Sequence, residues 1–168
     1  MKKKTYVTIM VCLMLGAVCF SGCGKKKGEY KGYVPVTQAE AESFAKQLIE
    51  KFKQGDKKPF FDFGTDIDVA DAVTHLVNVD VPNQADLSTD QLKVAANAIS
   101  LMNHAYFDSL KSVELVETKE ELGLLTVVLD CQFDQTSKMK IKEQKFALML
   151  VKKKSSGEIV VATYHPAI

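Results

Sequence analysis

At Leu110 the hydrophobic period of the chain changes, and no other feature limits its fold so tightly. Before that point apolar residues recur every three to four positions, and after it every two. The first spacing lays a stripe along a helix, and the second fills one face of a strand. Helices and strands are therefore segregated along the chain, which makes it α+β rather than α/β.

Three helices are expected upstream. Thr37 and Glu40 form a capping box in which the threonine oxygen and the glutamate satisfy exposed amides. Ala41, Phe44, Ala45, Leu48, Ile49 and Phe52 then make one stripe to about Lys53, where Gln54, Gly55 and Asp56 stop the helix. Ser43 and Lys46 have the S-x-x-K spacing of penicillin-recognising enzymes, but the companion motifs are absent and a solvated helix face explains both. After an aromatic-rich stretch at 59–63, Thr65 or Asp66 caps a second helix to about Asn78, with Ile67, Val69, Ala70, Val73, Leu76 and Val77 as its apolar face. The third begins at Ser88 and Gln91, a second capping box, with Leu87 and Leu92 as a hydrophobic staple. It runs to about Tyr106 with two adjoining stripes. One holds Leu92, Ala95, Ala96, Ile99, Met102 and Tyr106, and the other Val94, Ala98, Leu101 and Ala105. A face that wide predicts burial on more than one side.

Downstream, four strands are expected. Val113 and Leu115 mark the first; Leu125, Val127, Leu129, Cys131 and Phe133 the second. The third starts with Met139 and Ile141 and continues with Phe146, Leu148 and Leu150 in the opposite phase, which predicts a β-bulge between Lys142 and Lys145. Ser155, Ser156 and Gly157 turn the chain into the last strand, 159–164. Short connections make the sheet an antiparallel meander. The expected fold is thus three N-terminal helices packed on a bent, cone-like, four-stranded antiparallel sheet.

The first 23 residues carry the clearest functional signal. Lys2, Lys3 and Lys4 form a positive n-region before an apolar run at 6–20, followed by Ser21, Gly22 and Cys23. The run falls short of the roughly 20 residues that span hydrocarbon. Phe20, Ser21, Gly22 and Cys23 resemble the bacterial lipobox, in which cleavage follows diacylglycerol transfer to the cysteine. Gly22 suits cleavage because only a tiny side chain fits there; Cys19 follows branched Val18, and Cys12 lies inside the apolar run. The resemblance implies a signal peptide at 1–22, a palmitate-type lipid anchor on Cys23 and a place on the extracytoplasmic face of the cell membrane. Two acyl chains give stable attachment where one does not. A flexible lysine- and glycine-rich tether at 23–36 and a single domain at 37–168 follow. Lys25, Lys26, Lys27 and Lys31 sit beside the bilayer, where each adds roughly 1 kcal/mol on an anionic leaflet, or they simply keep the spacer hydrated.

Losing 22 of the 168 residues removes three lysines and no acids, which takes the formal charge from +1 to −2. A balanced charge and a cell-surface location both argue against nucleic acid as a partner. The basic side chains are all lysine, so bidentate guanidinium recognition is excluded. With Cys23 acylated, Cys131 is left without a partner for an intrachain disulfide, and its place in an alternating apolar strand makes it an inert core thiol. No cofactor or metal is expected. Asp62, Asp66, Asp68 and Asp71 lack EF-hand order, Asp71 and His75 lack a third ligand, and His75 and His165 are too scattered for a metal carrier.

Helices followed by a bent antiparallel sheet, with a first helix ending in Lys53, Gln54, Gly55 and Asp56, is similar to small lipoproteins of the nuclear-transport-factor-2-like (SnoaL-like) cone fold. A cystatin-like sheet or an unrelated α+β sandwich also accommodates this element order. The resemblance implies a concave sheet face partly covered by helices, in families that include isomerases and dehydratases as well as binding modules without chemistry. Two functions follow as expectations. The first is a tethered, non-enzymatic domain that binds a small apolar ligand or an envelope protein. The alternative is an acid–base enzyme using Asp130, His104, Tyr106 and Tyr164 inside the cone, a reading that requires those four side chains to converge.

Overall fold

A computed structural model describes residues 32–66, 68–69, 88–121, 123–134 and 140–167. Strand β1 (Tyr33–Pro35) is followed by helix α1 (Gln38–Lys53), a short helix α2 (Lys58–Phe61) and helix α3 (Thr89–Phe107). Strands β2 (Leu110–Glu121), β3 (Leu124–Phe133), β4 (Glu143–Lys153) and β5 (Ile159–Pro166) complete it. The fold is α+β, with helices against a curled antiparallel sheet. The signal segment with Cys23, most of the expected second helix (Asp71 and His75 among it), Leu87 and Met139 lie outside the described residues.

Both capping boxes form as their residue types dictate. The Thr37 amide donates to Glu40 Oε2 at 2.9 Å, and the Ser88 amide to Gln91 Oε1 at 2.8 Å. Gly55, with φ +87°, sits just beyond the end of α1, where a side chain would strain the backbone. The Asp66 carboxylate accepts from the amides of Asp68 and Val69, as an N-cap does.

Two expectations about order and number are corrected. A strand precedes the first helix, and the sheet has five strands among the described residues. Tyr33, Val34 and Pro35 pair antiparallel with Lys153, Lys152 and Val151 of β4, within the stretch read as tether. Three residues show no period, so the strand left no pattern to see. Val151 and Lys152 pair also with Val160 and Ile159 of β5, so β1 and β5 occupy opposite edges of β4. Strand β4 is therefore the central strand, and β2 and β5 are the outer strands on its two sides.

The expected bulge between Lys142 and Lys145 is absent, because β4 begins only at Glu143 and pairs with β3 without a shift. The phase change arises ahead of the strand, where Lys140 adopts a left-handed φ of 55°. Register shifts occur elsewhere: Lys111 and Val116 are the extra residues of β2, and Ala162 that of β5. Such insertions bend and twist a sheet. Their effect is visible in His165 Nε2 of β5, which lies 3.7 Å from Glu121 Oε2 of β2 although β3 and β4 run between. A flat sheet separates strands three places apart by about 14 Å. The sheet is curled into a half-barrel.

Both faces of the sheet are apolar. Val127, Leu129, Cys131, Phe146, Leu148 and Leu150 point to one side, where Ala41, Ala45 and Leu48 of α1 and the rings of Phe60, Phe63 and Phe107 cover them. Leu124, Met149, Val151 and Ala162 form a second cluster with Tyr33 and Val69. The unbroken buried run at 146–151 is the pattern of a strand buried on both faces.

Candidate functional site

The interior beneath the helices is filled with rings. Phe107 sits at its centre, with ring centroids of Phe60, Phe63, Phe146 and Tyr164 at 5.5, 5.7, 5.4 and 5.9 Å. Tilted and edge-on pairs at these separations are favourable and leave little space between them.

Of the four polar candidates, the structure brings two together. Tyr106 and Tyr164 flank the ring of Phe146 at 5.7 and 5.8 Å. Burial, and secondarily the neighbouring Tyr106, pushes the Tyr164 phenol well above its ordinary pKa, so it remains a neutral donor. His104 lies on the outside of α3, half exposed, stacked on Phe61 at 4.0 Å with Nδ1 3.5 Å from Asp108 Oδ1. Asp130 belongs to the opposite sheet face, beside Glu114 and Lys145 in register, and accepts from Gln132 at 3.5 Å. These four do not share a pocket.

Tyr164 instead joins a network built around Asn103. Its hydroxyl donates to Asn103 Oδ1 at 2.5 Å, and Asn103 Nδ2 donates to the carbonyls of Phe61 and Phe63, each at 2.8 Å. Asn103 is 0% exposed, and its amide ties α3 to the α2 turn and to β5. Sequence reasoning passed over this residue. The signal was its position seven residues after Ala96 and four before Phe107, within the buried stripe of α3. A satisfied polar group in that stripe pins the helix in one orientation and performs no chemistry by itself.

Cys131 is 1% exposed, and burial, with Asp130 adding to it, pushes its thiol up to about 12. A thiol so rarely ionised is a poor nucleophile. Ser43 and Lys46 are both exposed on α1, and the Ser43 oxygen accepts from Gln47 Nε2 at 3.2 Å. Among the described residues no group of three or more His, Cys, Asp or Glu side chains is placed to hold a metal ion. Within the same residues no helix is long and apolar enough to cross a membrane.

Two surface features are more suggestive. The outer stripe of α3, expected to be buried, is open, with Val94 69% and Leu101 74% exposed. Helix α3 buries Leu92, Ala96, Asn103 and Phe107 and turns that stripe away from the sheet. The second feature is a groove of about 450 Å³ between α1 and the outer strand, lined by Ile49, Phe52 and Lys53 on one side and by Lys111, Ser112, Val113, Glu114 and Leu115 on the other. A smaller hollow of about 290 Å³ lies by Asp134, Lys140, Ile141 and Lys142.

Comparison with family models, with curated proteins and with solved structures gave no match. The functional reading therefore rests on the residues alone.

Proposed function

We propose that this chain is a membrane-anchored, extracytoplasmic lipoprotein, held through acylated Cys23, whose folded domain is a non-enzymatic binding module for another envelope protein. The observation that carries the binding part is the combination of a ring-filled interior with apolar groups on the outside. The space under the helices is occupied by Phe60, Phe63, Phe107, Phe146 and Tyr164. Ile49 and Phe52 line an open groove, and Val94 and Leu101 stand in solvent. That distribution favours a protein partner over a small apolar ligand, which needs an enclosed cavity to be desolvated.

The anchor part is supported by the order of Lys2 to Lys4, the apolar run, Gly22 and Cys23. A cone of the nuclear-transport-factor-2 type, or a cystatin-like sheet, remains our reading of the finer fold; the helix-to-sheet order and the curl at Glu121 and His165 are consistent with it. The acid–base alternative draws no support from Asp130 and His104, which lie on different sides of the molecule from the Tyr164 hydroxyl.

The test is photo-cross-linking on intact cells, with a photoreactive residue placed in turn at exposed Leu101 and at half-buried Phe52. A discrete adduct with one envelope protein, abolished when Cys23→Ser releases the chain from the membrane, is the expected result. Adducts with lipid only, or a native mass spectrum carrying a bound small molecule and no protein, would overturn it.

A further inference from the structure

Resting on the reading of the domain as a protein-binding module, we propose that the groove between α1 and β2 receives an extended, acidic segment of the partner, added as a new strand to the outer edge of β2. Three independent features of the groove meet here. First, β2 is an outer strand, as β5 is, and among the described residues it pairs with β3 alone, so every second residue along it turns its amide and carbonyl away from β3. Between the extra residues Lys111 and Val116, positions 112–115 pair with β3 without a shift. This is a regular stretch of edge, and it coincides with the groove. Past Val116 the strand carries Glu117, Lys119, Glu120 and Glu121, the charged surface with which proteins protect an edge from unwanted pairing. The open stretch is therefore about four residues long and bounded at both ends.

Second, the groove wall is apolar where an added strand's side chains would arrive. Ile49 and Phe52 are half buried on α1, and Leu115 is half buried on β2. Main-chain bonds to an edge supply affinity in such complexes, and pockets for alternate side chains supply selectivity. Third, lysines outnumber carboxylates around it by one. Lys53 and Lys111 line the groove, and Lys57 Nζ is 6.0 Å from the Phe52 ring centroid. Against these three stand Glu114 and Glu50, the latter 3.0 Å from Lys53 Nζ. The excess favours carboxylates on the incoming strand and disfavours lysines. A second copy of this chain fits less well. Its own Val113 is buried in its own core, and its Leu115 half buried against that core, so neither is free to fill the groove of a neighbour.

The probe is a fluorescein-labelled seven-residue peptide alternating valine and glutamate, with the valine–lysine peptide as its counterpart, titrated by anisotropy into the full chain in detergent. The glutamate peptide should bind saturably in the micromolar range, as a contact of this small size does, and at least tenfold tighter than the lysine peptide. A photoreactive phenylalanine analogue at its centre should label Ile49, Phe52 or positions 111–115. Combined Lys53→Glu and Lys111→Glu, both at solvent-facing lysines, should invert the order of the two peptides while the circular dichroism spectrum stays that of the native fold.

Equal binding of both peptides, labelling elsewhere, indifference to the charge reversal, displacement by a fatty acid, or cross-links joining β2 of two copies would each overturn the proposal. The two readings fail separately. A lipidated chain that ignores the peptide removes the groove and leaves the anchored module. Peptide binding by a chain found unacylated removes the anchor and leaves the groove.

Discussion

Asn103 and Thr126 are buried polar residues with opposite circumstances. Asn103 makes three hydrogen bonds with good lengths, so truncating it leaves two carbonyls and a phenol without partners. Asn103→Ala should cost about 3 kcal/mol or more, and Tyr164→Phe, which orphans only one oxygen, about 1–2 kcal/mol. Urea unfolding of the two variants and of the double variant tests this, because residues of one network should couple rather than add. Thr126 is 0% exposed, and among the described residues its hydroxyl has no hydrogen-bond partner. Thr126→Val keeps the shape and removes an unsatisfied oxygen, so it should be neutral or stabilising by up to about 1 kcal/mol. A lower urea midpoint for that variant would mean that the hydroxyl has a bonding role.

At the scale of elements, the ion pair from Glu40 to Lys152 fastens the start of α1 to the central strand, with Lys152 Nζ 2.7 Å from Glu40 Oε1. Lys152, followed by the Thr37 amide and hydroxyl, holds the Glu40 carboxyl down to about 2 from an ordinary value of 4.5. A carboxyl depressed in the folded state adds stability above its unfolded value and loses it as the pH falls. The advantage of the native chain over Glu40→Gln should therefore be complete above about pH 4.5 and shrink steadily toward pH 2. Denaturation midpoints of both chains across that window provide the check, and a constant difference would contradict the assignment.

The same element shows what the sequence made legible. Thr37, Glu40 and the stripe through Leu48 marked α1 because capping and period are local properties, readable from neighbours in the chain. The strands were legible for the same reason. Strand β1 was not, since three residues have no period and their pairing with β4 depends on a partner over a hundred positions away. The open stripe at Val94 and Leu101 was misjudged because periodicity reports which residues share a face, not what lies opposite. In the candidate site, the expected convergence of Asp130, His104, Tyr106 and Tyr164 holds only for the two tyrosines, which meet at Phe146. Strand parity explains Asp130, and a 100° step along the helix separates His104 from Asn103.

At the scale of the whole molecule, the curl of the sheet and the ring-filled space under its helices describe a body that, among the described residues, buries most of its apolar groups inside and leaves the groove, the α3 stripe and Val116 of β2 open. In the reading proposed above, such a body acts through its surface, and an acylated Cys23 sets where that surface is displayed. The placement is the central claim, and intact-mass analysis of the protein extracted from membranes tests it most directly. The account predicts a chain that begins at Cys23 and carries the added mass of a diacylglyceryl group, with both lost in Cys23→Ser. A chain that still begins at Met1 and has an unmodified Cys23 would contradict it.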